Sequence, residues 1–517
     1  MAERRRPAGY DAWVSAPRGP QLALGPPFSS APPLSGDTLP ALWSTRWAAE
    51  PSLPLLLHET PVAERVALDG WCGAGAFDDR TRAEAGRLAA AGLCAGDRLL
   101  WCAGPSLDSV VTCIAALRLG AVVVPANPAY TARELVHIVA DVRPALAAVE
   151  RSEQAAWVES ASAGATPVIG LAAEVSASAA GSSPALDQAA PGDPALIVYT
   201  SGTTGAPKGA VLSHANLLAG VRALLEAWQW DENDRLVLAL PLFHVHGLCA
   251  GLFGTLAAGA SAVLTRFDAA GVLDAADRHT GTLFFGVPTM YRRLLESGRA
   301  DELANLRLCV SGSAPLPAEL FGELSTHARI ETLERYGMTE TLLTLSNPLE
   351  GERRPGTVGF PLPGVEARVE EDGALWVRGP SVFGGYWERP AANVECMVEG
   401  WFRTGDIVSI DEDGYFRVQG RSGDVIISGG FNVYPAEVED VLVAHAGVSE
   451  VAVSGTPSPE WGEAVTAWVV PEGALDVGDL LTFAAARLAP YKRPRSVRLI
   501  DALPRNAMGK VLRSELR

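Results

Sequence analysis

The 517-residue sequence has too few basic residues to balance its acidic ones. It carries 42 lysines and arginines against 60 aspartates and glutamates, which gives a formal net charge of −18 at pH 7. Nucleic acids and anionic membranes attract clustered positive charge, so this deficit argues against both as principal partners. A small anion would therefore have to be held by local groups, because the overall field of the molecule repels it.

The sequence also lacks the cysteine spacing of disulfide frameworks and zinc sites. Its seven cysteines are scattered, with no CxxC pair and no Cys/His arrangement suited to zinc. An odd, dispersed set favours free thiols in a reducing compartment, so we expect a cytoplasmic protein. The N-terminal MAERRRPAG is basic, but no apolar segment follows it, which argues against a signal peptide.

One stretch lacks charge for long enough to cross a membrane. Residues 236–265 contain no charged side chain, but they include Pro241, His244, His246 and four glycines. The stretch divides into a strand, a helix and a second strand, so we predict a buried βαβ segment and no membrane span.

The pattern of apolar residues predicts an α/β protein of several units. Apolar strands alternate with helical segments up to about residue 330, which indicates stacked βαβ sheets. Short strands separated by glycines then indicate a small antiparallel β subdomain, and a small α+β unit follows. We expect a partly ordered N-terminal extension (1–40) and a large domain (41–421). A hinge (421–424) then leads to a mobile C-terminal domain (424–517).

A segment rich in glycine and hydroxyl groups, YTSGTTGAPKG at 199–209, follows an apolar strand. Glycines let the backbone turn its N–H groups toward one point, and hydroxyls and a lysine add further donors for phosphate oxygens. The spacing is neither that of a Walker A loop nor that of a dinucleotide fingerprint. We predict a polyphosphate site formed by Thr200, Ser201, Gly202, Thr203, Thr204, Gly205 and Lys208.

Five further motifs follow in order: ERYGMTET (334–341), WFRTGD (401–406), VQGRSGD (418–424), GGFNVYPAEVE (429–439) and PRNAMGKVLR (504–513). Together with the glycine-rich segment they resemble the adenylate-forming superfamily of acyl-CoA synthetases, peptide-synthetase adenylation domains and luciferases. The resemblance covers the chain from about residue 75 onward. It implies an AMP-forming ligase that uses ATP, Mg²⁺ and coenzyme A, and that activates a carboxylate as an acyl-adenylate before transferring it to a thiol.

The resemblance also assigns roles to individual residues. Lys510 would bridge the acid and the α-phosphate in the first half-reaction only, Glu340 would bind Mg²⁺, and Thr204 and His244 complete the expected catalytic set. Beyond the polyphosphate loop, the expected nucleotide contacts are Ser313, Tyr336, Gly337, Thr339, Asp406 and Arg421. The expected CoA contacts are Ser428, Gly429 and Gly430. Gly423 departs from the family pattern, in which Asp or Lys often follows the arginine by two residues.

The acid is expected to meet His244, Ser311 and Arg335, and Arg335 suggests which acid it is. Many relatives that take hydrophobic acids have a small residue before the tyrosine. An arginine there would be a buried cation unless an anion met it, and a distal carboxylate matches its geometry. The segments around it are most similar to those of malonyl-CoA synthetases, so malonate or methylmalonate is the expected substrate.

Several alternatives stay open on the sequence alone. Arg335 could pair with Glu334 or another protein acid, and His244 with His246 could form a metal-binding pair. A medium-chain or aryl acyl-CoA synthetase is the main alternative function. A peptide-synthetase adenylation domain and a nucleotide-binding sensor that kept the fold are the others.

Overall fold

The computed structural model describes residues 21–23, 37–58, 70–172, 184–200, 207–428, 431–458, 461–506 and 509–516. The strands of these residues are β1 (Gln21–Ala23), β2 (Pro54–His58), β3 (Cys72–Gly73), β4 (Arg98–Cys102), β5 (Val122–Pro125), β6 (Leu146–Val149), β7 (Val168–Ile169), β8 (Pro194–Thr200), β9 (Lys208–Ser213), β10 (Arg235–Leu238), β11 (Ser261–Leu264), β12 (Leu283–Gly286), β13 (Leu308–Ser311), β14 (Leu333–Tyr336), β15 (Leu345–Ser346), β16 (Phe360–Pro361), β17 (Glu366–Val369), β18 (Ala374–Arg378), β19 (Gly385–Tyr386), β20 (Met397–Val398), β21 (Trp401–Ile410), β22 (Phe416–Arg421), β23 (Ile426–Ser428), β24 (Phe431–Val433), β25 (Val448–Ser458), β26 (Gly462–Pro471) and β27 (Ser496–Leu499). The α-helices are α1 (Leu39–Ala49), α2 (Ala74–Ala90), α3 (Leu107–Arg118), α4 (Ala132–Val142), α5 (Ser152–Ala161), α6 (His214–Trp228), α7 (Gly254–Ala258), α8 (Ala269–Arg278), α9 (Pro288–Glu296), α10 (Ala318–Glu323), α11 (Pro390–Cys396), α12 (Pro435–Val443) and α13 (Val477–Ala485).

Two largely parallel sheets form the body of the large domain. One has the strand order β16-β15-β14-β13-β12-β10-β11-β2-β3, and the other has the order β19-β9-β8-β5-β4-β6-β7. A single large core of buried apolar residues includes side chains from both sheets and from α1, α2, α3 and α6. The predicted α/β class with stacked βαβ units is therefore confirmed.

The charge-free stretch forms the predicted βαβ segment. Strand β10 leads through a π-helical segment at His246–Phe253 and helix α7 into β11, which pairs with β10 in parallel. The first strand ends at Leu238, and the chain turns before the two histidines. Among the described residues, no helix is both long enough and apolar enough to cross a membrane.

The two smaller units also have the predicted character. Strands β17, β18, β21 and β22 pair antiparallel in the subdomain that follows residue 355. Beyond it, α12, α13 and the sheet containing β25 and β26 enclose a separate small core. The N-terminal extension is described only in part: β1 pairs with β17, and Thr38 caps α1, which begins at Leu39. The domain limits themselves stay a prediction.

A fully buried arginine joins three segments of the large domain. Arg118, at the end of α3, has no exposed surface and forms ion pairs with Asp78 at 2.6 Å and Asp187 at 3.0 Å. It also donates to Thr81 Oγ1 at 2.7 Å. The guanidinium thereby ties α3 to α2 and to the segment that precedes β8.

We predict that Arg118→Met destabilises the fold strongly. The change leaves the largely buried Asp187 without its cation and leaves Asp78 with only the more exposed Arg82 as a partner. Removing one partner of a buried ion pair costs about 3–5 kcal/mol. Arg299→Met is the matched control, because Arg299 also pairs with two carboxylates, of Asp274 and Glu302, but its side chain is 40% exposed. Urea unfolding should show a large fall in the midpoint for Arg118→Met and a much smaller one for the control; equal falls would contradict the prediction.

Candidate active site

The described residues of the predicted nucleotide site lie at the ends of β8, β14 and β22 and in the middle of β21. Thr200 is the last residue of β8, Lys208 is the first of β9, and the Thr200 hydroxyl donates to the Lys208 carbonyl oxygen at 3.4 Å. The rest of the predicted phosphate loop lies outside the described residues: Ser201, Gly202, Thr203, Thr204 and Gly205. Their proposed contacts therefore stay predictions.

The turn after β14 carries Gly337, Thr339 and Glu340. A side chain at Gly337 would overlap the carbonyl group of Leu342, so only glycine fits this turn. Thr339 is half-buried, and Glu340 is 5% exposed. Burial raises the pKa of the Glu340 carboxyl, and a hydrogen bond from the Tyr386 hydroxyl opposes that rise.

Asp406 is bonded on both of its carboxylate oxygens. Its Oδ2 accepts a short hydrogen bond from the Tyr336 hydroxyl, and its Oδ1 forms an ion pair with Arg421 Nε at 2.7 Å. Asp406 and Arg421 are also direct partners across β21 and β22. Burial raises the pKa of Asp406, while Arg421 opposes this shift. The aromatic, carboxylate and guanidinium groups that were predicted for one nucleotide are thus brought together.

Arg335 is a buried cation to which the described protein gives no counter-charge. It is 4% exposed, and neither its Nε nor its Nη2 has a hydrogen-bond partner among the described residues. Burial lowers the pKa of the guanidinium to about 9, which leaves it charged at neutral pH. Its side chain lies so close to Gly312 that any side chain at that position would overlap it.

Glu334 does not neutralise Arg335. Successive residues of a strand point to opposite faces, so the two side chains lie on opposite sides of β14. The Glu334 Oε1 atom accepts from the Leu316 N–H at 2.8 Å. Burial raises the pKa of this carboxyl to about 8, so it is mostly uncharged at neutral pH.

His246 lies on the Arg335 side of the sheet. Its ring stacks on Phe285, with the centroids 6.3 Å apart, and its Nδ1 lies 3.2 Å from the Ser313 hydroxyl. The buried Nε2 has no partner among the described residues. Burial and the charge of Arg335 hold the pKa of His246 well below its usual range, so the ring is neutral.

His244 precedes the π-helical segment and accepts on Nδ1 from the His246 N–H at 3.3 Å. Burial, Arg335 and Lys510 lower its pKa to about 4. No group of three or more metal-ligating side chains occurs in the part of the chain that the structure describes. The His244–His246 pair therefore has no third ligand there, and its geometry suits two neutral hydrogen-bonding rings better than a metal centre.

The expectation that Ser311 contacts the acid needs correction. Ser311 pairs with Glu334 in parallel register, and paired residues of neighbouring strands project from the same face. Its hydroxyl therefore lies on the face opposite Arg335. Ser313, two residues later and with a positive φ of 69°, is the serine that reaches the Arg335 side, through His246.

Lys510 reaches this site from the C-terminal region. Its backbone N–H donates to Asn506 Oδ1 at 3.0 Å, and the neighbouring Gly509 faces Thr289 at the start of α9. Lys510 keeps solvent-exposed surface, although the site partly desolvates its ammonium group. Desolvation and the Arg421 guanidinium lower the pKa of Lys510, and Asp406 opposes them.

The predicted CoA segment is only partly described. Ser428 ends β23, is 1% exposed, and its hydroxyl has no partner among the described residues. Gly429 and Gly430 lie outside the described residues. A CoA contact at these three residues stays a prediction.

The sequence did not indicate Tyr386 as a residue of this site. It indicated His246, but not the position of its ring beside Arg335. Tyr386 lies between the ERYGMTET and WFRTGD motifs, so no motif indicated it. His246 stood beside a recognised histidine and was considered only as a metal ligand. Its buried, unpartnered Nε2 beside a buried cation could be seen only in three dimensions.

Comparisons with known proteins agree with this architecture. The chain matches the AMP-binding enzyme family over residues 60–387 and the AMP-binding enzyme C-terminal domain over 437–510. A malonate–CoA ligase of Arabidopsis thaliana is 37% identical over 478 residues, covering 82% of this chain and 78% of that protein. A feruloyl-CoA synthase of Amycolatopsis sp. is 37% identical over 455 residues, covering 83% of this chain and 90% of that protein.

Among solved structures, ATP-bound MatB from Rhodopseudomonas palustris superposes with a TM-score of 0.87 at 37% identity. That match covers 93% of this chain and 98% of MatB. The family match spans well over half of the chain, and the structural match extends over nearly all of it. The chain therefore belongs to the AMP-binding enzyme family, within the adenylate-forming superfamily of acyl-CoA synthetases.

Proposed function

We propose that the protein is an ATP-dependent malonate–CoA ligase, with methylmalonate as the second candidate acid. In the first half-reaction a substrate carboxylate oxygen attacks the α-phosphorus of ATP and pyrophosphate leaves. In the second, the CoA thiolate attacks the acyl carbon and AMP leaves. The observation that carries the choice of acid is the buried Arg335 guanidinium, which has no acidic partner among the described residues.

Relatedness alone does not choose the acid, because the malonate ligase and the feruloyl-CoA synthase have the same identity to this chain. An aryl or alkyl group placed against Arg335 would leave the cation desolvated and unpaired, which is strongly unfavourable. A second carboxylate instead supplies a charge-assisted, bidentate partner. The His246 Nε2 is a second buried group that this carboxylate could engage if the ring carries its proton there.

The nucleotide is proposed to bind at Asp406, Arg421 and Tyr336, with its phosphates toward Lys208 and the loop at 200–205. A carboxylate can accept two hydrogen bonds from a ribose diol, which is the role proposed for Asp406. Thr339 is proposed to contact the α-phosphate. Gly337 shapes the turn that brings this threonine and Glu340 beside the nucleotide.

The donor set fits a hard cation such as Mg²⁺ held mainly by the nucleotide. Mg²⁺ usually takes one or two protein carboxylates and completes its shell with water and phosphate oxygens. Glu340 is a nearly buried carboxylate that is linked to Lys208 through Tyr386, and it is the proposed ligand. Bound there, the cation would neutralise phosphate charge as pyrophosphate forms.

Lys510 and His244 are proposed to set up the first half-reaction. The acid and the nucleotide are both anions, so their approach requires compensating positive charge. The charge of Lys510 acts on both His244 and Asp406, and this lysine is proposed to bridge the substrate carboxylate and the α-phosphate. His244, neutral at physiological pH, can orient the reacting carboxylate without adding charge.

The second half-reaction requires Lys510 to leave so that CoA can enter. We propose that the C-terminal region, 424–517, rotates about residues 421–424 and brings Ser428, Gly429 and Gly430 to the acyl-adenylate. Gly423 permits a wide range of backbone dihedral angles for such a rotation.

The cytoplasmic location stays a prediction. All seven cysteines are free thiols in the structure, as expected in a reducing compartment.

The acid specificity is tested by measuring pyrophosphate release with purified protein. Malonate and methylmalonate should support release with a kcat/KM well above that of octanoate, benzoate or ferulate. A higher kcat/KM for any of these monocarboxylates would favour the alternative, a medium-chain or aryl acyl-CoA synthetase. Release with no acid preference and no thioester product would contradict the proposal altogether.

We predict that Arg335→Met lowers kcat/KM for malonate about 30-fold or more, because one partner of a buried charge pair is worth about 2–5 kcal/mol. A monocarboxylate should lose much less. In the absence of substrate the variant should be at least as stable as the parent, because it removes an unpaired buried cation. A fall of several kcal/mol in its free energy of unfolding would instead show that Arg335 is paired within the protein.

We predict that Lys510→Ala abolishes acid-dependent pyrophosphate release but still forms thioester from supplied malonyl-adenylate and CoA. The lysine charge is needed only while two anions approach each other. Lys492→Ala is a suitable control, because Lys492 pairs with Glu437 away from this site. Equal loss of both half-reactions in a folded Lys510→Ala protein would rule out the two-conformation account.

A further inference from the structure

Tyr386 connects the two charged residues proposed to act on the phosphates and the cation. Its hydroxyl donates to Glu340 Oε1 at 2.7 Å, and the ammonium of Lys208 lies over its ring, 5.3 Å from the centroid. We infer that Tyr386 is a positioning residue: it orients the Glu340 carboxylate for the cation and keeps Lys208 available for phosphate. The inference rests on the proposed ATP-dependent function, and it does not depend on which acid is used.

Strand pairing places the tyrosine beside the lysine. The short strand β19 pairs antiparallel with β9, so that Tyr386 lies opposite Ala210. The next residue, Trp387, donates its N–H to the Gly209 carbonyl oxygen at 2.7 Å. Because β9 begins at Lys208, the Tyr386 ring is held next to the residue that leaves the phosphate loop.

The same segment is attached to Glu340 a second time. The Phe383 N–H donates to the backbone carbonyl oxygen of Glu340 at 2.8 Å. The side chain of Phe383 packs edge-on against the Tyr386 ring, with centroids 4.9 Å apart. Both the backbone and the carboxylate of Glu340 are therefore fixed relative to β19.

One side chain holds both backbone polar groups of Tyr386. Asn393 Oδ1 accepts from the Tyr386 N–H at 2.6 Å, and Asn393 Nδ2 donates to the Tyr386 carbonyl oxygen at 3.1 Å. Gly385 has a φ of 132°, and a side chain there would come within 2.8 Å of Asn393 Nδ2. The tyrosine is thus locked in place before any ligand arrives.

The contacts of Tyr386 keep Lys208 and Glu340 from pairing with each other. Lys208 and Glu340 both contact Tyr386, and a direct ion pair between them would use the charges that the nucleotide and the cation require. Tyr386 gives each group a neutral partner, its ring for the ammonium and its hydroxyl for the carboxylate. A cation–π contact is worth only about 0.5–2 kcal/mol, so a polyphosphate can replace it.

The test uses the full chain and two conservative variants. Tyr386→Phe keeps the ring under Lys208 and removes the hydroxyl from Glu340. Tyr415→Phe is the matched control: its hydroxyl donates to the Glu352 carbonyl oxygen at 2.7 Å and Arg354 lies 4.2 Å from its ring centroid, away from Glu340. Binding of Mn²⁺ to each protein with a non-hydrolysable ATP analogue is followed by electron paramagnetic resonance, without acid.

Tyr386→Phe should raise the Mn²⁺ Kd about 10-fold or more, as expected when a partner of a metal ligand is removed. Its affinity for the analogue without metal should stay within about twofold of the parent, and Tyr415→Phe should match the parent in both. Tyr386→Ala should weaken metal-free analogue binding as well, because Lys208 can then approach Glu340.

An unchanged Mn²⁺ Kd in Tyr386→Phe would overturn the role of the hydroxyl, and so would an equal loss in Tyr415→Phe. If Tyr386→Ala does not fold, the phenylalanine variant decides alone. Failure of the parent protein to bind the ATP analogue would contradict the proposed function. Equal Mn²⁺ binding by the parent and Tyr386→Phe would contradict only the role of the tyrosine, so the two failures can be told apart.

Discussion

The site depends on a guanidinium that is buried with no carboxylate to balance it among the described residues. Arg335 is held on β14, with Gly312 giving it room and Glu334 turned to the other face of the sheet. Such a charge costs free energy in the ligand-free protein, and that cost falls when an anion enters. The surrounding fold must supply enough stability elsewhere to maintain it, and the extensive core between the two parallel sheets does so.

One short segment organises the chemistry around that charge. Strand alternation directs Arg335 to one face of the sheet and Tyr336 to the other, where it bonds Asp406, and the tight turn at Gly337 leads to Glu340, which bonds Tyr386. The residues proposed to bind the acid, the nucleotide and the cation are thus only a few positions apart. This compactness favours in-line attack, because the reacting groups are positioned by one rigid element of the sheet.

Much of this could be read from the sequence, for physical reasons that can be named. Uninterrupted apolar strands alternating with helices predict parallel sheets, and the charge-free stretch was assigned as βαβ because Pro241 and two histidines do not suit a membrane span. The ordered motifs indicated which residues would meet at the nucleotide. Strand register could not be predicted, so Ser311 was expected at the acid although it lies on the face opposite Arg335. Tyr386 was missed because its partners Lys208 and Glu340 are far away in sequence and reach it only in the folded protein, in part through the pairing of β19 with β9.

The hydrogen bonds of Asp406 affect how the protein discriminates between ribonucleotides and deoxyribonucleotides. Both oxygens already have partners, Tyr336 on one side and Arg421 on the other, before any sugar arrives. A sugar that binds this carboxylate must use the remaining lone pairs of these oxygens or displace the tyrosine hydroxyl, and two vicinal hydroxyls compensate for a displaced bond better than one does. The pocket would therefore disfavour deoxynucleotides through an exchange of hydrogen bonds, with no steric barrier against the missing oxygen.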